Sequence, residues 1–207
     1  LEIKSKAIDK ATEQKVQYYT TTGPMDQTWS ANNGFVLRLA PGVGGEGTNV
    51  AGLSRIGQSV NLKSCTANLR INLNKTADGI LQNLGNTVYC RILFVDNLSD
   101  NTALAAADVL QDPATPINST YKNSMSSSKK YKVYADYKFC LSDDKPQKLL
   151  NFKMKIPKTG RVVHYDIGST NPSDLNLSMI WVAEGINPVS FNKPVYNIFM
   201  KSRFEDA

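Results

Sequence analysis

The chain has 207 residues, of which 41% are hydrophobic and 20% charged, and a formal net charge of +6. This is the length and make-up of one globular domain with a real core, so residues 1–207 are read as a single unit. No apolar run approaches the roughly 18 residues a membrane span needs, and "LEIKSKAID" has no signal-peptide core, so a soluble chain without membrane insertion is expected.

In chain order, the first distinctive stretch is "APGVGGEGTNV" (residues 40–50), where Gly42, Gly44 and Gly47 satisfy G-x-G-x-x-G behind "GFVLRLA", a strand-like run. A dinucleotide site needs that loop to open directly into a helix whose N-terminus holds the pyrophosphate, and a carboxylate about 20 residues on for the ribose. Gly52 and Gly57 interrupt any such helix, and the positions at the right distance are Cys65, Thr66, Ala67 and Asn68. A surface loop without a cofactor is the reading.

Twofold alternation then takes over. Val60 and Leu62 fall on one parity and Cys65, Ala67, Leu69, Ile71 and Leu73 on the other, which predicts a long strand bulged near Lys63 and Ser64. "TVYCRILFVD" (residues 87–96) is apolar on both parities, the mark of a strand covered on both faces or lying at a subunit contact. "NTALAAADVLQD" (residues 101–112) is the one helical segment, with Asn101 as cap and Pro113 as stop, inside a long connection. A weaker strand is expected over 116–123.

From residue 131, Tyr131, Val133, Ala135, Tyr137, Phe139 and Leu141 make one face of a strand, and Lys130, Lys132, Tyr134, Asp136, Lys138 and Cys140 the other. Leu150, Phe152, Met154 and Ile156 alternate with Asn151, Lys153 and Lys155 until Pro157 ends the run. Further strands are expected over 161–167, 175–184 and 194–205. About eight strands with turn chemistry between them predict an all-β fold: an eight-stranded antiparallel jelly-roll sandwich with one short helix in a long inter-strand loop.

The charge is local. Between Lys129 and Arg161 there are ten basic residues against Asp136, Asp143 and Asp144, an excess larger than that of the whole chain. Such a cluster attracts a polyanion by releasing its counterions, or simply solvates an exposed strand. The candidate nucleic-acid ligands are Lys129, Lys130, Lys132, Lys138, Lys153, Lys155, Lys158 and Arg161, with Tyr134 placed to stack an unpaired base.

Catalytic constellations are poor. Cys65, Cys90 and Cys140 are odd in number and lack a C-x-x-C pair, which favours free thiols over a disulfide framework or a zinc site. The chain has one histidine, His164; Asp166 shares its strand face, but no nucleophile motif accompanies the pair. Asp143 and Asp144 read as a solvated turn. No enzyme, metal or cofactor is expected. A glycan- or receptor-binding β-sandwich is the competing class, although Trp29 and Trp181 are too far apart in sequence to mark a sugar platform.

"SRIGQSVNLKSCTANLRI", with its Arg55-Ile56-Gly57 step into the first large strand, resembles the capsid proteins of Rep-encoding circular single-stranded DNA viruses, the circovirus-like group. Three further pieces are similar to that group: Glu2-Ile3-Lys4 near the start, the run from Lys130 to Asp136, and "FMKSRFED" at the end with its late Arg203. Lys130 stands where the group has arginine. The resemblance implies a coat protein whose copies, about sixty in the simplest icosahedral arrangement, enclose a circular single-stranded DNA genome. It further implies an arginine-rich arm upstream of Leu1, a place in the virion and in the host nucleus or cytoplasm during assembly, and a host attachment factor as an outside partner.

Overall fold

Alternation of buried and exposed side chains runs through most of the chain and builds two antiparallel sheets. The computed structural model describes residues 14–25, 28–30, 36–41, 54–73, 87–100, 102–112, 117–122, 130–186 and 193–206. The first sheet has the order β1 (Lys15–Pro24), β11 (Val195–Asp206), β5 (Ser59–Asn72), β8 (Gln147–Lys153), and β9 (Arg161–His164) shares the β8 edge of β5. The second has the order β2 (Thr28–Ser30), β10 (Leu177–Glu184), β6 (Val88–Asn97), β7 (Tyr131–Leu141). A short parallel pair, β3 (Ala40–Pro41) with β4 (Ser54–Arg55), stands apart.

Among the described residues, eight strands remain apart from β3, β4 and β9. In chain order the first, eighth, third and sixth form one sheet, and the second, seventh, fourth and fifth the other. That is jelly-roll connectivity, the architecture expected from the sequence. The layer between the sheets holds the main core, where Phe94 of β6 stacks on Phe152 of β8 with ring centroids 4.0 Å apart and planes 4° from parallel.

Two bulges set the register. Lys63 is the extra residue of β5, since Arg203 pairs with Ser64 and Phe204 with Leu62, so the parity break read from the sequence is a bulge. The second bulge was not expected. On β7, Ala135 pairs with Phe94 and Val133 with Val95, leaving Tyr134 as the extra residue. Tyr131 and Val133 therefore face outward, while Tyr134, Ala135, Tyr137 and Phe139 pack on the main core. Strict alternation along β7 fails because a tyrosine suits either side of a half-buried sheet.

β6 is buried on both faces, only Tyr89 being exposed. Its even-numbered residues enter the main core, and Leu93 and Val95 meet a second cluster of Leu104, Ala106, Val109, Leu110, Ile180 and Val182. Its two-sided apolar pattern is thus satisfied within the chain, by the β6–β7 connection folded over the outer side of the second sheet. Among the described residues, helix in that connection is limited to α1 (Ala106–Val109), whose Asp108 carboxylate accepts from the Ala105 N–H at 2.8 Å. The expected helix over 101–112 is shortened because Asx-type bonds claim the backbone before it. Asn97 Oδ1 accepts from the N–H of Ser99, and Asp100 Oδ1 from that of Thr102. The expected cap Asn101 and stop Pro113 lie outside the described residues. Over 116–123, the described part forms an isolated bridge between Tyr121 and Leu110 rather than a strand.

One ion pair fixes each face of β6. On the outer face Arg91, 3% exposed, donates to both carboxylate oxygens of Asp136 at 3.0 and 2.8 Å and to the Ser119 carbonyl, while the Tyr121 hydroxyl donates to Asp136. On the inner face Asp96 accepts from Arg161 of β9 at 3.1 Å and from the Asn176 N–H, which ties the two sheets together. Neither charge could be buried without its partner.

The segments β1 and β2 were not anticipated, and the described part of "GFVLRLA" is strand only at Ala40. Its described part buries Val36, Leu37 and Leu39 in bends, with Leu37 at φ 57° and its carbonyl accepting from the Tyr165 hydroxyl at 2.7 Å.

Two outcomes follow from this packing. Phe152→Ala empties half of the central stack and should cost about 3–5 kcal/mol in urea unfolding; a loss below about 1 kcal/mol would mean that the stack is not central. Burial pushes the Asp136 pKa up, but hydrogen bonds from Arg91 and Tyr121 and the charges of Arg91 and Lys138 outweigh it, so the pKa lies below the usual carboxylate value. A depressed pKa gives stability that is present at neutral pH and lost as pH falls below about 4. Asp136→Ala should therefore destabilise the protein by about 3 kcal/mol at pH 7 by orphaning Arg91. The gap should narrow on acidification, and amide exchange should rise first over 98–122.

Candidate nucleic-acid interface

The two sheets present their outer faces differently. The β6–β7 connection lies on the second sheet, whereas among the described residues nothing packs on the outer face of the first. Register places the outward side chains of that face in rows across four strands. One row runs Tyr18, Lys201, Thr66, Lys153; the next runs Thr20, Phe199, Asn68, Asn151; and a third runs Thr22, Asn197, Arg70, Leu149. Arg203 lies beyond the first row, between Val16 and Ser64.

Strands about 5 Å apart make each row about 15 Å long. These rows carry Lys201, Lys153, Arg70 and Arg203 and no carboxylate. Acidic residues begin only at the end of β11, where Glu205 pairs with Lys63 at 2.9 Å and Asp206 pairs with Lys15. Arg70, Lys153 and Arg203 have no hydrogen bond or ion pair among the described residues, so their charges face solvent uncompensated. The Lys201 ammonium lies 5.5 Å from the centroid of the Tyr18 ring.

The eight basic residues read from the sequence do not share a surface. Lys153 belongs to the bare face, and Lys155 continues its parity past the buried Met154. Lys138 pairs with Arg91 on the outer side of the second sheet, and Lys132 pairs with Asp96 on the inner side, with its ammonium 4.7 Å from the Tyr134 ring. The bulge at Tyr134 separates them. Lys130 borders a cavity of about 480 Å³ that is also lined by Asp100, Asp108 and Lys122. Lys158 is exposed in the turn before β9, and Lys129 lies outside the described residues.

Two of the residues read from the sequence have partners within the fold. Arg161 is half-buried and bonded to Asp96, the Tyr134 hydroxyl and the Asp174 carbonyl, so its guanidinium serves the inter-sheet ion pair. Tyr134 packs on the core and accepts from Arg161, so its ring is not offered to a base. Arg70, Lys201, Tyr18 and Phe199 were missed, because they become neighbours only through strand pairing.

The residues that carry the family resemblance have defined places. Arg55 is 1% exposed; its guanidinium lies 4.2 Å from the Tyr165 ring centroid and donates to the carbonyls of Gly57 and Ser169. It thereby clamps two turns, at Gly57 with φ 79° and at Gly168 with φ 76°, and these hold Ile56 and Ile167 in solvent. Asp136 is the partner of Arg91, and Arg203 lies on the bare face. Glu2-Ile3-Lys4 and the glycines from Gly42 to Gly47 lie outside the described residues.

Reactive chemistry is sparse. His164 Nδ1 lies 2.7 Å from Asp174 Oδ2, so its partner is Asp174 and not Asp166, and both side chains are solvent-exposed. Among the described residues no group of three His, Cys, Asp or Glu side chains could hold a metal, and no helix is long and apolar enough to cross a membrane. Burial pushes the Cys65 thiol up to about 11 and the Cys90 thiol also upward, which makes both unreactive. Asn97 and Asn176, each the first residue of an N-x-S/T sequon, are buried and hydrogen-bonded, closed to glycosylation in the folded chain.

No family model and no curated protein matches the sequence. Among solved structures, the fold is similar to that of Desmodium yellow mottle tymovirus over 95% of this chain and 90% of that one, with 8% identity and a TM-score of 0.43. It is similar to turnip yellow mosaic virus over 95% and 96%, with 12% identity and a TM-score of 0.39. The T13 viral particle of IBDV matches over 95% of this chain but 40% of its own, with 10% identity and a TM-score of 0.19. At these scores the likeness carries no functional argument; the strand connectivity stands without it.

Proposed function

We propose that this chain is a coat protein whose copies close into an icosahedral shell of about sixty subunits around a circular single-stranded DNA genome. What carries the reading is the combination of a jelly roll with one sheet face covered and the other, among the described residues, bare and cationic. A shell that holds a polyanion needs positive charge on one side of each subunit and closing contacts at the subunit's edges. The clamped turns that display Ile56 and Ile167 suit such contacts, since apolar residues held rigidly in solvent are what an interface core is made from. The genome type rests on the resemblance at Arg55-Ile56-Gly57, Asp136 and Arg203. With it come the virion as destination, the host nucleus or cytoplasm as the place of assembly, and an attachment factor on the host.

A domain of 207 residues has a radius of gyration of about 17 Å, and about sixty such domains in one layer close into a shell about 200 Å across. Negative-stain microscopy and light scattering of the purified chain should show uniform particles of that size; a monomer at every concentration and ionic strength would contradict the reading. Neutralising Lys153 and Lys155 together with glutamine should lower the nucleic acid protected per particle, read from the ratio of ultraviolet absorbances, with particle size unchanged.

A further inference from the structure

The bare face of the first sheet is more than a charged plane. Tyr18 and Phe199 stand 54% and 40% exposed, with ring centroids 5.7 Å apart and planes inclined by 38°. Large rings left in water beside uncompensated cations are costly to keep unless something covers them. Next to Phe199 is an open depression of about 480 Å³, whose rim includes Asn68, Asn151, Asn197 and Arg70. Those three amides have no hydrogen-bond partner among the described residues. Each amide can donate and accept, which is what the edges of unpaired bases present.

Resting on the coat-protein reading for its setting but not for its chemistry, we propose that this face binds single-stranded nucleic acid, with bases stacked on Tyr18 and Phe199. Arg70, Lys153, Lys201 and Arg203 meet the phosphates, and the asparagine amides meet base edges in the depression. Charge complementarity selects a polyanion, and the exposed rings select one with free base faces. A duplex would hide its bases from both rings, so charge alone would hold it.

The test is fluorescence anisotropy of the full chain with labelled oligothymidylate and oligouridylate of about 20 nucleotides and with a duplex of equal length. Tyr18→Leu with Phe199→Leu should weaken single-strand binding about tenfold per ring at unchanged salt slope, and leave duplex binding as it was. Arg70→Ala with Lys153→Ala should weaken both and make the logarithmic salt slope shallower by about 1.4 for the single strand and about 1.8 for the duplex. Tyr18→Phe, which keeps the ring, should bind as the unsubstituted chain does where Tyr18→Leu does not, separating stacking from misfolding. Whichever oligonucleotide binds more tightly identifies DNA or RNA as the source, and removal of the rings should weaken both.

Single-strand affinity unmoved by the ring variants overturns the inference. So does a loss on Lys132→Gln with Lys138→Gln as large as that on the face itself. Shells that form while oligonucleotide ignores this face would sink the inference and leave the coat-protein reading standing; a chain that binds through the rings but never assembles would do the reverse.

Discussion

β6 cannot be left open on either side, and the arrangement of the rest follows from that. Along Val88–Asn97 only Tyr89 is exposed, so both faces of the strand need apolar cover. The opposing sheet supplies one cover, and the β6–β7 connection, with Leu104, Val109 and Leu110, supplies the other. A connection used in this way cannot also shield the first sheet, whose outer face is bare among the described residues and whose outward side chains are then free to serve a ligand.

The same strand carries the two ion pairs that hold the layers. Arg91 with Asp136 fastens the covering segment to the second sheet, and Asp96 with Arg161 crosses to β9 of the first. Each places a nearly buried charge against a partner that solvent still reaches in part, so loss of the partner strands the buried member. This is why Arg161, basic and conspicuous in sequence, is a structural residue, whereas Arg70 of β5, Lys153 of β8 and Arg203 of β11 have no ion-pair partner among the described residues.

Much of the fold could be read from the chain. The parity break at Lys63 is a bulge, and β8, β10 and β11 lie close to where alternation puts them. β1 escaped because its inward residues are Gln17, Tyr19 and Thr21, a polar set that leaves no apolar period; Gln17 is buried through a bond to the Arg38 carbonyl. The bulge at Tyr134 escaped because tyrosine fits either side. The site was harder to read than the fold. Charge density along the sequence singled out residues 129–161, but density in space gathers positions 18, 70, 153, 199, 201 and 203 from four strands. Lys153 and Arg203 were visible beforehand; Arg70, Lys201 and the two rings become a group only once the register is known.

The central claim is that the uncovered sheet face is the side turned towards nucleic acid. Photo-crosslinking reports this directly: bromodeoxyuridine-substituted single-stranded DNA is bound, irradiated, and the adducts are mapped by mass spectrometry. The account predicts adducts in the β1 and β11 peptides, at Tyr18 and Phe199, with few elsewhere. Adducts concentrated in residues 98–122 or on β7 would place the nucleic acid on the other sheet and contradict it.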